Sequence, residues 1–204
     1  MRLLLATNNP GKLKELISLL EALPIELTHP QDIGIQVDVA ETGSTYEENA
    51  AIKATAFAQL SNLVTLADDS GLEVDALGGA PGLHSARFSP IPGATDADRR
   101  ARLLQQLSGH PRPWKARFHC SVATVEPSGK IYFAQGDCPG EIIPVERGSH
   151  GFGYDPIFLL SGSGKTMAEL SMQEKNALSH RARAVKAAIP MLLQIFNLPP
   201  TPAS

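Results

Sequence analysis

A short apolar run that ends in two adjacent aspartates is the stretch of this 204-residue chain best suited to chemistry. Residues 66–72 read Leu-Ala-Asp-Asp-Ser-Gly-Leu. This order predicts a strand that brings acidic side chains to the edge of a sheet, with Asp68 and Asp69 pointing to opposite faces. A carboxylate that works beside phosphates acts mainly through Mg²⁺, which prefers hard oxygen ligands. The same polar residues also suit a surface turn, so the stretch alone leaves both interpretations open.

A second polar stretch, residues 7–12 (Thr-Asn-Asn-Pro-Gly-Lys), follows an apolar run and precedes a helical spacing of leucines. Lys12 then stands at a helix start, where free backbone N–H groups attract anions. The segment is not a Walker P-loop, because Ala6 replaces the first glycine and Leu13 replaces the metal-binding hydroxyl residue. We predict a phosphate-binding loop, with an ordinary strand-to-helix turn as the alternative.

Three glutamates crowd the start of the second predicted helix: Glu41, Glu47 and Glu48. Acidic residues at this place interact favourably with the helix dipole. A glutamate here could instead share a metal ion with Asp69, and the sequence does not separate the two interpretations.

Two later stretches have residue types that recognise nucleotides. In residues 152–155 (Phe-Gly-Tyr-Asp), an aromatic ring could stack on a base for about 1–3 kcal/mol, and Asp155 could hydrogen-bond to the base edge. The alternative is an aromatic packed over a glycine turn. Lys175, His180 and Arg181 are predicted at a helix start, where anions are favoured and Arg181 can bind in fork geometry. A solvated basic face is the alternative there.

Composition limits the class of protein. A hydrophobic content of 43% supports one domain or a two-lobed single domain. The net charge of −3 gives no basic field for nucleic acid. Cys120 and Cys138 form no C-x-x-C pattern, which indicates a reducing compartment and no zinc site. The first apolar run is too short for a signal peptide or a membrane span, so we expect a cytoplasmic protein without a membrane partner.

The order of these motifs resembles that of the inosine triphosphate pyrophosphatase family, and most of all its bacterial dITP/XTP pyrophosphatases of the HAM1 type. The resemblance runs from Leu3 to about Ile195 and is carried by residues 7–12, 41–43, 67–72, 78–82, 152–158 and 179–181. Asn8 departs from it, since glycine is often found there. Strands that alternate with helices, and a hairpin signal after residue 117, indicate a mixed α/β sheet.

The resemblance implies an α/β fold with a mixed central sheet and flanking helices, in the two-lobed architecture that Maf and HAM1 proteins share, with the site in the cleft. We expect one domain over residues 1–197 and a disordered tail over residues 198–204. The implied reaction cleaves ITP, dITP and XTP to the monophosphate and pyrophosphate, which keeps these nucleotides out of DNA and RNA. Mg²⁺ and a homodimer are also implied.

The resemblance carries roles onto individual residues. Asp69 is expected to be the catalytic base and a metal ligand, with Glu41 as a second possible metal ligand. Arg181 is expected to donate to the 6-oxo group of the base, which would disfavour adenine. The expected substrate contacts are Thr7, Asn8, Asn9, Pro10, Gly11, Lys12, Ser70, Phe152, Gly153, Tyr154, Asp155, Lys175, His180 and Arg181.

Three other interpretations compete with this one. A Maf-type pyrophosphatase would prefer modified pyrimidine nucleotides, but residues 152–155 and 179–181 argue against it. A nucleotide sensor without hydrolysis would lose the carboxylates, whereas Asp68 and Asp69 are present. A nucleic-acid-binding module conflicts with the net negative charge.

Overall fold

The computed structural model describes residues 1–200 and divides them into two compact units. The first unit comprises Met1–Asp69, Cys120–Gly136 and the chain from Arg181 onward, and the second comprises Ser70–His119 and Asp137–His180. The strands are β1 (Arg2–Leu5), β2 (Glu26–Thr28), β3 (Val64–Val74), β4 (Trp114–Val125), β5 (Ile131–Ile142) and β6 (Phe158–Leu160). The longer helices are α1 (Pro10–Leu20), α2 (Tyr46–Ser61), α3 (Asp96–Leu107), α4 (Met172–Leu178) and α5 (His180–Ile195).

All six strands belong to one mixed sheet with the order β2-β1-β3-β4-β5-β6. Strand β1 pairs in parallel with β2 and β3, whereas β6 pairs antiparallel with β5. The predicted mixed α/β class is therefore confirmed. The predicted hairpin corresponds to the neighbouring strands β4 and β5, where the N–H of Glu126 donates to the carbonyl of Lys130 at 2.9 Å.

The first unit buries strand β1 on both faces. Leu3 and Leu5 pack in one apolar cluster with residues of α1 and α5, and Leu4 and Ala6 pack in a second cluster with residues of α2. A parallel strand covered on both sides needs apolar residues at every position. This explains the unbroken apolar run that begins the chain, and it fixes the loop of residues 7–12 at the carboxyl end of β1.

The aspartate pair lies within β3 rather than at its end. The strand continues through Ser70 and on to Val74, so the prediction that a strand ends at Asp68 and Asp69 was wrong, although both residues follow Leu66, the last β3 residue that pairs with β1. Both side chains are buried, with 1% and 7% of their surface exposed, which also excludes the surface turn. Alternation along the strand still points the two carboxylates to opposite sides.

The second unit has its own apolar core, built by residues of β3, β4, β5, β6 and α3. Cys138 lies in this core and Cys120 lies in the α1–α5 cluster of the first unit, and both are buried thiols. Lys175 lies in the last turn of α4, whereas His180 and Arg181 begin α5. The prediction that the three share one helix start was therefore wrong for Lys175.

The chain end that was predicted to be disordered is described only in part. Leu198 packs against the α1–α5 cluster, and its N–H donates to the carbonyl of Leu193 at 2.8 Å. Residues 201–204 lie outside the described residues. Over residues 1–200, no helix combines the length and apolar character that crossing a membrane requires.

Candidate active site

The loop of residues 7–12 is held by its own side chains. Asn9 caps helix α1, because its Oδ1 accepts from the N–H groups of Gly11 at 2.9 Å and Lys12 at 3.1 Å. Pro10, at the first helical position, has no N–H. The first-turn donors are thus already paired within the loop, so the attraction of this loop for an anion rests chiefly on the Lys12 ammonium and the helix dipole.

Residues outside the loop support it as well. The Nε2 of His29 lies 2.9 Å from the carbonyl oxygen of Thr7, and since a carbonyl only accepts, Nε2 carries the proton. The Thr7 hydroxyl accepts from the N–H of Asn9 at 3.2 Å, and the exposed Asn8 donates to the carbonyl of Val37 at 3.4 Å. The loop conformation is therefore fixed before any ligand binds.

A buried charge network surrounds Asp68 in the first unit. Its Oδ2 lies 3.0 Å from the Lys12 ammonium and 3.1 Å from Nε of Arg181. Arg181, 1% exposed, also donates through Nη1 to the buried Glu15 of α1. The thiol of Cys120 is 3.9 Å from the same Asp68 oxygen. Arg181, predicted to read the base, therefore has its Nε and Nη1 groups bound to carboxylates of its own unit.

Opposite charges keep this network ionised. Burial opposes the charge on Asp68, but the ammonium of Lys12 and the guanidinium of Arg181 outweigh it and hold the pKa of Asp68 well below its usual range. The other oxygen of Asp68, Oδ1, is buried and has no hydrogen-bond partner among the described residues. That oxygen keeps acceptor capacity for a bound cation or a donor group.

A second cluster, formed by Glu41, Lys53, Asn49 and Asp69, lies in the same unit. The Lys53 ammonium is 2.6 Å from Oε1 of Glu41 and 3.7 Å from Oδ1 of Asp69. The Asn49 amide donates to Oδ2 of Asp69 at 3.1 Å, and its oxygen accepts from the N–H of Gly43 at 2.8 Å. A Cβ on Gly43 would lie 2.8 Å from that oxygen, so this close approach requires glycine.

Burial raises the pKa of Asp69, although the nearby Lys53 and Lys12 act in the opposite direction. Burial also opposes the charge on Lys53, but the carboxylates of Asp69, Asp68 and Glu41 raise its pKa overall. The two aspartates thus differ in character. Asp68 is a fixed anion, whereas Asp69 is a more basic carboxylate, the property that a proton acceptor needs.

The sequence reasoning missed Lys53 and Asn49. Both lie on α2 four residues apart, which places them on one face of the helix. That spacing in an alanine-rich helix was the available signal. Of the three glutamates near this helix, Glu48 accepts from Ser44 and Glu47 contacts Gln135, so Glu41 is the one that shares a partner with Asp69.

The carboxylates of this cluster fit a magnesium ion that is held mainly by water and phosphate. Among the described residues, no group of three or more His, Cys, Asp or Glu side chains forms a metal site by itself. Mg²⁺ commonly binds one or two carboxylates and completes its shell with water and substrate phosphates. Glu41 and Asp69 supply such oxygens, and both carboxylates lie within 4 Å of the Lys53 nitrogen, which already holds a positive charge between them.

The second unit brings Phe152, Asp155 and Lys175 together. Oδ2 of Asp155 accepts from the N–H of Phe152 at 2.9 Å and from the ammonium of Lys175 at 2.5 Å. The Lys175 nitrogen also lies 5.2 Å from the centre of the Phe152 ring. A Cβ on Gly151 would lie 2.0 Å from the Asp155 carboxylate, so the loop closes around this ion pair only with glycine there.

The other predicted contacts of the second unit lie deeper in its core. Tyr154 is buried, and its hydroxyl donates to the carbonyl of Ser85 at 3.0 Å. Burial raises the pKa of this phenol. The ring of the buried His180 stacks on Phe118, with the ring centres 4.7 Å apart. Phe152 is thus the half-buried aromatic of residues 152–155, and Ser70 is half-buried on β3.

Comparison with known proteins gives one consistent relationship. The model of the Ham1 family matches residues 3–191. A protein of Desulforamulus reducens described as a dITP/XTP pyrophosphatase is 45% identical over 197 residues, which cover 96% of this chain and 98% of that protein. A dITP/XTP pyrophosphatase of Geobacter sulfurreducens is 46% identical and covers 90% of this chain and 92% of its own length.

Solved structures give the same relationship. A HAM1 protein from Coxiella burnetii superposes with a TM-score of 0.85 at 40% identity, over 95% of this chain and 99% of that one. The Ham1 protein of Staphylococcus aureus superposes with a TM-score of 0.81 at 36% identity, over 97% and 98% of the two chains.

Proposed function

The chain belongs to the Ham1 family, and on that premise we propose that it hydrolyses non-standard purine nucleoside triphosphates to the monophosphate and pyrophosphate. The substrates we propose are ITP, dITP and XTP, and their removal keeps them out of DNA and RNA. The observation that carries the proposal is the pair of lysines in the first unit, Lys12 and Lys53, each ion-paired with a buried aspartate. Cations beside carboxylates suit a triphosphate that is cleaved by water.

The chemistry assigned to the first unit is attack of water on the α-phosphorus. The bond from this phosphorus to the oxygen that bridges to the β-phosphorus breaks, and pyrophosphate leaves with that oxygen. Asp69 orients the water and accepts its proton, a role that its raised pKa supports. Lys12 and Lys53 offset the charge that develops on the phosphates.

We further propose that Mg²⁺ is required and that Glu41 and Asp69 hold it. When bound, the ion supplies positive charge to the phosphate oxygens and lowers the pKa of water. We also propose a homodimer, which the resemblance to the family suggests, and a cytoplasmic location, which the cysteine usage and the short first apolar run suggest.

Base selection is assigned to the second unit. Phe152 stacks on the purine, and the ammonium of Lys175, oriented by Asp155, donates to the 6-oxo group. Adenine presents an amino group at this position, so a cationic donor would face another donor and lose its hydrogen bond, at a cost of about 1–3 kcal/mol. This assignment gives Lys175 the role that the sequence reasoning gave to Arg181, whose Nε and Nη1 groups bind Asp68 and Glu15.

The test is pyrophosphate release from ITP, XTP, dITP, GTP, ATP and a modified pyrimidine triphosphate, with Mg²⁺ and with a chelator. We expect turnover of the first three nucleotides to exceed that of GTP and ATP by at least tenfold, and to be lost with the chelator. Preference for the modified pyrimidine would favour Maf-type chemistry. Nucleotide binding without turnover would favour a sensor.

A further inference from the structure

Two side chains of helix α3, Asp96 and Arg100, bind the N–H and the carbonyl of Gly153 in the loop of residues 152–155, and we call this pair the clamp. The N–H of Gly153 donates to Oδ2 of Asp96 at 2.7 Å. The carbonyl of the same residue accepts from Nη1 of Arg100 at 2.8 Å. Asp96 and Arg100 are four residues apart and so lie on one face of the helix. Two charged side chains thus hold both polar groups of a single glycine.

Asp96 and Arg100 each form an ion pair with a further charged side chain. Nη2 of Arg99 donates to the other oxygen of Asp96 at 2.5 Å. The guanidinium of Arg100 binds Glu146 through two further bonds, of 2.8 Å and 3.0 Å. The helix start is fixed as well, by the reciprocal hydrogen bonds of Thr95 and Asp98. The clamp is therefore rigid, and charge-assisted bonds of this kind are roughly twice as strong as neutral ones.

The clamp acts on the orientation of one aromatic ring. Gly153 has a φ of +62°, a left-handed backbone conformation that glycine adopts without strain. On one side of it Tyr154 is buried and tied to Ser85, and on the other side Phe152 is half-buried. The orientation of the Phe152 ring therefore depends on the hydrogen bonds that hold the backbone of Gly153.

We propose that Asp96 and Arg100 are positioning residues for base discrimination, acting through the backbone of Gly153 on Phe152 and on the Lys175 ammonium that lies over its ring. The inference rests on the proposed function, since it assigns the loop to the purine base. Neither side chain needs to touch the substrate. Their loss relaxes the loop, so the fit of the correct base weakens while the binding of the phosphates is untouched.

The experiment measures equilibrium binding by calorimetry, so that it does not depend on turnover. The probes are the α,β-methylene analogues of ITP and ATP, together with inorganic tripolyphosphate. In Arg100→Met and Asp96→Asn we expect the Kd of the ITP analogue to rise about tenfold, the effect of losing one charge-assisted hydrogen bond. The preference for the ITP analogue over the ATP analogue should fall by a similar factor, with the Kd of tripolyphosphate unchanged.

Matched variants separate positioning from general damage. Arg102→Met removes a neighbouring, partly exposed arginine that bonds within the helix to Gln105, and it should change no Kd. Glu146→Gln weakens the anchor of Arg100 without removing a clamp residue, and it should give a smaller change in the same direction. Because both clamp residues act on one residue, Gly153, the double variant should lose less than the product of the two single effects.

Three results would overturn the inference: an unchanged preference in both clamp variants, equal weakening of all three probes, or full additivity in the double variant. If the unmodified protein binds neither analogue, the proposed function fails together with it. If the unmodified protein prefers the ITP analogue and the variants keep that preference, the proposed function stands and the clamp is refuted.

Discussion

Buried charge pairs and networks hold the candidate site residues of the first unit, whereas the second unit combines one buried pair, Asp155 and Lys175, with several hydrogen bonds to the backbone of a glycine-containing loop. Asp68 is fixed by Lys12 and Arg181, and Asp69 is held by Asn49 and lies near Lys53. In the second unit the peptide groups of Phe152 and Gly153 bond to carboxylates and a guanidinium.

The two arrangements respond differently to change. Removing one member of a buried charge pair leaves its partner uncompensated, so damage in the first unit is severe. Removing one of several hydrogen bonds to a loop leaves the others in place, so the loop becomes only partly more mobile. We therefore expect changes in the first unit to affect all substrates alike, and changes in the second unit to alter the choice among bases.

The largest effect is expected for Asp69→Asn. The amide retains the size of the side chain but cannot accept the proton of water, so kcat should fall by about 10²–10⁴-fold for every nucleotide. Steady-state pyrophosphate release from ITP and GTP checks this. Asp38→Asn, at an exposed position, is the control and should keep full activity. Near-normal kcat in Asp69→Asn would remove Asp69 from the mechanism.

The next effect concerns stability. Glu15→Gln leaves the buried guanidinium of Arg181 without one of its two carboxylates, and should lower the free energy of unfolding by about 3–5 kcal/mol. Urea denaturation measures this change. Glu21→Gln, at the exposed end of the same helix, should change it by less than about 0.5 kcal/mol. Equal stability of the two variants would show that the pair contributes nothing.

A smaller and selective effect is expected for Phe152→Leu. Loss of the aromatic face should weaken the binding of ITP by about 1–3 kcal/mol. Inhibition by inorganic tripolyphosphate should stay the same, because we propose that the phosphates bind in the first unit. Phe133→Leu, which changes an exposed aromatic of the first unit, is the control. Weaker inhibition by tripolyphosphate in Phe152→Leu would contradict the division of labour.

The smallest effect is a shift of the pH profile. The proposed mechanism needs ionised Asp69, and burial raises the pKa of this carboxyl above the ordinary value of 3.8. As the pH is lowered, the rate should therefore begin to fall before the pH reaches 3.8. Lys53 favours the ionised form. Lys53→Met should therefore move the acidic limb of the kcat/KM profile to higher pH, whereas Lys14→Met, at an exposed lysine, should leave it in place. A limb that moves to lower pH would reverse the sign of this argument.

Local sequence patterns were sufficient to predict most of the fold. The unbroken apolar run of β1, the leucine spacing of α1 and the polar residues between them were sufficient to place the loop of residues 7–12. The choice between Phe152 and Tyr154 could not be made in this way, because two aromatics that flank one glycine look alike in sequence. Burial of Tyr154 under Ser85 is a property of the folded unit.

Contacts between residues far apart in the chain also could not be predicted from local sequence patterns. Arg181 meets Asp68 across 113 positions, and Gly153 meets Asp96 across 57. No short window contains both members of such a pair. The resemblance to a family supplied roles for Asp69 and Lys175, but it did not indicate that Arg181 would be buried among carboxylates or that α3 would hold the base loop.

Each unit contains one buried cysteine, and the reactivity of that thiol can be used to follow the local unfolding of the unit. Cys120 lies in the core of the first unit, where burial and the nearby Asp68 raise its pKa, and Cys138 lies in the core of the second. A buried thiol reacts with an alkylating reagent only when its surroundings open. The rate of alkylation at each cysteine, followed by mass spectrometry, therefore measures the local unfolding of each unit separately, without an introduced cysteine.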